Sequence, residues 1–172
     1  DEYSPQVQWA VGIVNTYSRN YTLALKAAEK TIARSPHFAD GYGLLATVLN
    51  YAGRPDEALQ VMQKAIALNP RPPFIYKMIL GQIHFNLRDY PKAADYFGQA
   101  VERNPSAQEV RLWLSATYAY LGSKEEASWE LEQVRHYGTD LSVDSIDRFI
   151  PFEDPDLRKH LIDGLIMAGL DL

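Results

Sequence analysis

The chain has 172 residues, 47% of them hydrophobic and 23% charged, with a formal net charge of -5 at neutral pH. That is enough apolar material for one ordinary domain or an array of small repeats, and too little positive charge for a broad grip on nucleic acid. No cysteine is present, which excludes disulfides, cysteine-ligated metal and thiol catalysis.

The chain starts DEYSPQVQ, acidic and without an apolar signal core, and no run approaches the roughly 18 apolar residues of a membrane helix. A piece cut from a longer chain, with no direct membrane insertion, is expected. A period then appears. Pro36, Pro70 and Pro105 each close a helical pattern, at separations of 34 and 35, and the next step of 34 falls on Thr139. Taking each proline as position thirty-two divides residues 5–141 into four units, 5–38, 39–72, 74–107 and 108–141, with Pro73 as an insertion.

In chain order, turn signals fall midway through each unit, at Arg19-Asn20, Gly53-Arg54-Pro55, Arg88-Asp89-Tyr90-Pro91 and Gly122-Ser123. Each unit is therefore predicted to be a helix, a turn and a helix. Equivalent positions agree across units. Position twenty holds Ala24, Ala58, Ala93 and Ala127, position eight holds Gly12, Ala46, Gly81 and Ser115, and position seven holds Val11, Leu45, Leu80 and Leu114. Small side chains at recurring positions let paired helices approach closely, and larger apolar ones fill the space around them.

After Leu141 the period stops, and residues 142–172 are predicted to form capping helices. Ser142 to Ser145 offer a cap for a short helix through Phe149 that Pro151 ends. Asp154 caps a second helix with Pro155 in its first turn and an apolar stripe of Leu157, Leu161, Leu165 and Ala168. That stripe is expected to cover the open face of the fourth unit.

At these residues the sequence resembles the tetratricopeptide repeat (TPR) family, with AGRPDEALQVMQKAIALNP and LRDYPKAADYFGQAVERNP as near-consensus copies. The resemblance implies an all-α right-handed superhelix of four helix-turn-helix units. Arg148 to Leu170 is similar, through Phe149, Pro151, Phe152, Asp154, Pro155, Gly164, Leu165, Ala168, Gly169 and Leu170, to the closing segment of bacterial TPR proteins fused to class III adenylate or guanylate cyclase or winged-helix domains. That likeness implies the C-terminal regulatory region of a larger signalling protein. It implies a cytoplasmic setting, or a periplasmic one where a membrane segment precedes the repeats.

No catalytic group, cofactor or metal site is expected. His84 sits at a packing position, His37, His136 and His160 lie near helix ends or in the tail, and no histidine pair has zinc spacing. Glu125-Glu126 opens a helix, where negative charge suits the dipole. The family's concave face is lined by positions two, five, nine, twelve and thirteen of each first helix. Carried over, these give a candidate partner groove of Trp9, Ile13, Tyr17, Thr47, Asn50, Tyr51, Met78, Gln82, Phe85, Asn86, Leu112 and Tyr120, with Asp40 and Glu109 at position two. An exposed aromatic row of Trp9, Tyr17, Tyr51, Phe85 and Tyr120 is expected, with Tyr51 and Phe85 as anchors for a peptide. Lysine and arginine are absent from positions two, five and six, so acidic C-terminal peptides of the carboxylate-clamp type are not expected to bind. The function read from this is a non-catalytic module binding a protein or peptide. The alternative is a scaffold that self-associates through its imperfect first unit, or a groove occupied by the protein itself.

Overall fold

The computed structural model describes residues 4–138 and 141–171, with the side chains of residues 148 and 149 outside the description. Among the described residues all regular structure is helical. Four antiparallel pairs come first: α1 (Pro5–Tyr17) with α2 (Tyr21–Arg34), α3 (Ala39–Tyr51) with α4 (Pro55–Leu68), α5 (Phe74–Asn86) with α6 (Tyr90–Arg103), and α7 (Gln108–Tyr120) with α8 (Lys124–His136). Two more helices follow, α9 (Val143–Phe149) and α10 (Pro155–Met167). The end of the region expected as a fourth unit, residues 139 and 140, lies outside the described residues.

Local chemistry fixes the ends. The Ser4 side chain accepts the amide of Val7 at 3.2 Å, with Pro5 opening α1, and proline also stands in the first turn of α4, α6 and α10. Each first helix closes the same way. The fifteenth position of each repeat, Arg19, Gly53, Arg88 and Gly122, takes a positive φ of 60°, 77°, 64° and 79°. The next amide then bonds back to the carbonyl five residues earlier, as Arg54 does to Leu49 at 2.9 Å and Asp89 to His84 at 2.9 Å.

Within the pairs the small positions are sealed. Ala24, Ala58, Ala93 and Ala127 have no exposed surface. A Cβ on Gly81 would stand 2.6 Å from the Phe97 ring, so α5 and α6 approach as closely as they do only because that atom is missing. Gly12 instead faces Leu44 of α3. The small residue at position eight thus admits a neighbouring pair in the first repeat and the partner helix in the third.

The C-terminal segment departs from the expected arrangement. Its stripe does bury Leu157, Leu161, Leu165 and Ala168, but it does more than seal the last pair. From α8 the chain returns to the first pair, where Asp147 meets Arg19 at 3.1 Å and the Tyr21 hydroxyl donates to the Pro151 carbonyl. Then α10 runs back past the ends of α3, α5 and α7, and the Arg135 guanidinium takes the Gly169 carbonyl at 2.9 Å. The physical reason is the aromatic residue at or near the end of each first helix. The tail covers three of these rings, with Phe152 against Tyr51 and His160 against Phe85 and Tyr120, and so takes their apolar surface out of water.

The glycine pair in one helix hairpin gives a test. Gly81→Ala is expected to destabilise by about 1–3 kcal/mol through overpacking against Phe97. Gly98→Ala, whose new methyl meets nothing within 4 Å, is expected to stabilise by about 0.5–1 kcal/mol through helix propensity. Urea unfolding midpoints of the two variants should move in opposite directions.

Candidate functional site

The first helices present their inner faces to one concave surface, and the C-terminal segment divides it. Where the first helices end, the groove is full. Ile150, Pro151 and Phe152 are buried, the Glu153 amide donates to the Tyr51 carbonyl at 3.0 Å, and the Phe152 ring sits edge-on to Tyr51 at 5.5 Å and to Trp113 at 5.7 Å. Further along, His160 stacks on Tyr120 at 4.2 Å and lies 4.8 Å from Phe85, while its Nε2 is 3.1 Å from the Tyr90 hydroxyl. Gly164 admits this crossing, since a Cβ there would meet Ala116 and Tyr120 at under 3 Å.

This corrects the expected exposed aromatic row. Tyr51 is 1% exposed and Phe85 fully buried, so neither can anchor an incoming peptide. Asn50, Gln82, Asn86 and Leu112 are buried too, and Tyr120 is half-buried in a stack with Tyr90 and His160. The aromatic surface belongs to the interior because the chain's own tail supplies the apolar segment that the groove would otherwise take.

What stays open is the part of the groove beside the tail, along α1 and α3 and at the start of α5. Trp9, Ile13, Tyr17, Thr47, Tyr51 and Met78, all expected as groove residues, meet there with Asp40, Ile75, Tyr76 and Ile79 around a cleft of about 80 Å³. Tyr17 and Ile75 are exposed, and Trp9, Ile13 and Thr47 are half-buried. Helical spacing on α1 sets Trp9, Ile13 and Tyr17 on one face at intervals of four, and α3 and α5 supply the opposite wall.

Two carboxylates sit in or against this cleft, and neither stood out in the sequence as chemistry. Asp40 accepts the Tyr76 hydroxyl at 2.6 Å. Glu109 is held at the boundary with the filled half, where its Oε1 accepts Gln82 Nε2 at 3.0 Å and the Tyr51 hydroxyl at 3.4 Å. Burial pushes the Glu109 carboxyl up to about 7, against the pull of the Gln82, Tyr51 and Trp113 donors. The Trp113 indole nitrogen completes no regular hydrogen bond of its own. Position two of the second and fourth repeats was the only available signal for this pair.

The other polar groups read as packing. Asn86 Nδ2 donates to Asn50 Oδ1 at 3.0 Å across neighbouring first helices. Glu130 is buried but paired with Arg111. Burial lowers the pKa of His84, which lies against Tyr96 at 5.4 Å. Burial, helped by Arg88, brings the pKa of His160 down to about 4, so it is a neutral ring in an aromatic stack. Among the described residues no group of three His, Asp or Glu is placed to hold a metal ion, and no helix is long and apolar enough to cross a membrane.

The helix pairs and their recurrent small positions now stand beside the comparisons with known proteins. The profile of the tetratricopeptide repeat family matches residues 17–73 and 80–134, more than half of the chain. The chain belongs to the tetratricopeptide repeat family. Solved TPR structures share its fold at low sequence identity. The type IV pilus biogenesis factor PilW is 16% identical over 98% of this chain and 74% of its own, with a TM-score of 0.72. A thermophilic TPR protein of Thermus thermophilus is 22% identical over 96% and 84%, at 0.67. YrrB, described as a TPR protein with an unusual peptide-binding site, is 18% identical over 99% and 89%, at 0.62. No curated protein sequence matches the chain. As a TPR fold, the chain is of a kind that serves protein–protein interaction and is generally non-catalytic.

Two measurements follow from this TPR groove. Phe152→Ala removes the ring wedged between Tyr51 and Trp113 and is expected to cost about 3–5 kcal/mol of stability, read from the urea midpoint. The raised Glu109 pKa means that the folded state holds a proton the unfolded chain has released. Stability from this group is therefore present below the ordinary carboxylate pKa and falls as pH rises through about 7. Subtracting Glu109→Gln cancels the opposite trend of His160, whose low folded pKa weakens the fold as pH drops. Between pH 5 and 8 the wild type should lose on the order of 2 kcal/mol relative to that variant.

Proposed function

We propose that the chain is a non-catalytic protein-interaction module whose partner docks in the cleft left beside the tail. The carrying observation is the division of the groove: half is closed by the chain's own apolar segment, and the open remainder keeps Trp9, Tyr17 and Ile75 accessible on a rigid floor. Aromatic and aliphatic side chains fixed on helices lose little entropy on binding and anchor interfaces well.

Charge supports the choice of partner class. The lining holds no lysine or arginine, which disfavours both nucleic acid and acidic carboxylate-clamp peptides. The tail residues that resemble cyclase-linked and winged-helix-linked TPR proteins include Pro151, Phe152 and Gly164, the very ones that seat the segment in the groove. This favours the regulatory C-terminal region of a bacterial signalling protein, working in the cytoplasm, or in the periplasm where a membrane segment precedes the repeats.

A second reading, self-association through the first repeat, has its own observation. Val7, Val11 and Val14 on α1 and Leu23 on α2 are exposed, Val14 by 64%. The equivalent α3 residues Gly41 and Val48 are buried.

Capture experiments with the immobilised chain separate the two. A partner retained by wild type should be lost from a Trp9→Ala, Ile75→Ala double variant and kept by Val14→Lys. Retention by the double variant would reject the cleft. Mass by light scattering that grows with concentration in wild type but not in Val14→Lys would put self-association first.

A further inference from the structure

The cleft's own chemistry specifies the kind of partner it takes, a reading that rests on the cleft being the docking site. The cleft is acidic without any base of its own. Asp40 gives one carboxylate oxygen to the Tyr76 hydroxyl at 2.6 Å, and its other oxygen has no partner among the described residues. Glu109, just behind Tyr51, is surrounded by neutral donors. Some carboxylates elsewhere are paired with bases, as Asp147 is with Arg19 and Arg158, Glu57 with Arg54, and Glu130 with Arg111. Asp40 has no base beside it in the cleft, and it stands where the aromatic rings gather, with Glu109 behind Tyr51.

We propose that the cleft is built for a positively charged side chain, an arginine carried on an extended and otherwise apolar segment of a partner protein. Three features agree with that occupant. The aromatic rings of Trp9 and Tyr17 line the cleft with Asp40, and aromatic faces attract cations, most of all a guanidinium, which is planar and weakly hydrated. A space of about 80 Å³ admits one side chain and falls well short of the roughly 300 Å³ at which small-molecule sites begin. The exposed Ile75 and half-buried Ile13 flank the acid with apolar surface, so the residues on either side of the arginine should be aliphatic.

Desolvation explains why the charge matters. A carboxylate partly turned away from water gains from a cation beside it, and Asp40 is half-buried with the Tyr76 hydroxyl as its donor. An incoming arginine meets a half-buried carboxylate, Asp40, that the Tyr76 hydroxyl already holds in place. An aspartate or glutamate in the same place would meet the like charge of Asp40, and a glutamine would leave that charge uncompensated.

The test titrates the isotope-labelled whole chain with two terminally blocked pentapeptides, Ala-Leu-Arg-Leu-Ala and Ala-Leu-Gln-Leu-Ala, and follows protein amide and indole resonances. Affinity near about 1 mM is the range for a single anchored side chain. The arginine peptide should move the Trp9 indole and the Gly43 and Thr47 amides, binding at least about tenfold tighter than the glutamine peptide. Asp40→Asn, which can still accept the Tyr76 hydroxyl, should erase that preference. Trp9→Leu, which removes an aromatic face of the cleft and keeps an apolar side chain, should reduce it and serves alone, followed at the Gly43 and Thr47 amides, if Asp40→Asn does not fold. Equal binding of both peptides at these resonances overturns the arginine preference and leaves the docking cleft standing. No movement of these resonances with either peptide overturns the arginine site, and the capture experiment with Trp9→Ala, Ile75→Ala then judges the cleft separately.

Discussion

The structure depends on removing one aromatic row from water. Tyr51 and Tyr120 are the last residues of their first helices, Phe85 is the last but one of α5, and Trp113 joins them from within α7. A stack of helix pairs by itself leaves such a row on its concave side, because the second helices pack behind the first and nothing in the repeat comes round to the front. The tail answers that constraint. Ile150, Phe152, Leu157, Leu161 and Leu165 are all buried against the row or against the helices beside it. At about 1.5–3 kcal/mol for each fully buried aliphatic or aromatic side chain, their burial amounts to on the order of 10 kcal/mol. That is comparable with the whole stability of an ordinary domain, so the tail is a permanent wall of the groove. A ligand that had to expel it would need to replace all of that burial.

The same event creates the site. Had the tail only sealed α8, the whole concave face would be open and no position on it would be favoured. By lying across the ends of α3, α5 and α7, the tail confines access to the inner sides of α1 and α3 and the start of α5, where Trp9, Asp40 and Ile75 converge. The polar contacts fix where the tail lies. Arg19 and Arg158 converge on Asp147, the latter at 2.5 Å, and the Asp154 side chain caps α10 through the amides of Asp156 and Leu157. Exposed ion pairs contribute little energy. Their value here is register: they set which tail residues face which rings.

Electrostatics in the groove are arranged around neutral donors. Gln82 reaches both Tyr51 and Glu109, linking three successive first helices through one amide. Such a chain of hydrogen bonds satisfies the buried groups and holds a carboxyl in place without a base beside it. The Glu109 carboxyl is therefore ordered behind the cleft, while Asp40, held by Tyr76, supplies the acid within it.

The repeat itself was legible from the sequence. The prolines at a 34-residue spacing, the alanines at position twenty and the turn signals are local facts, and the observed first helices run from the first to the thirteenth position of the repeat. Ser142, Asp154 and Pro155 were legible as helix starts for the same reason, since a cap acts over three or four residues. The groove was legible in part: Trp9, Ile13, Tyr17, Thr47 and Met78 do line a cleft, while Phe85, Asn86 and Leu112 are interior. What decided between these outcomes was the path of the tail, which joins Tyr21 to Pro151 and Tyr51 to Phe152 across more than a hundred residues. Periodicity reports which face of a helix is apolar. It does not report what covers that face, because burial is a property of the partner surface, and here the partner is a distant part of the same chain.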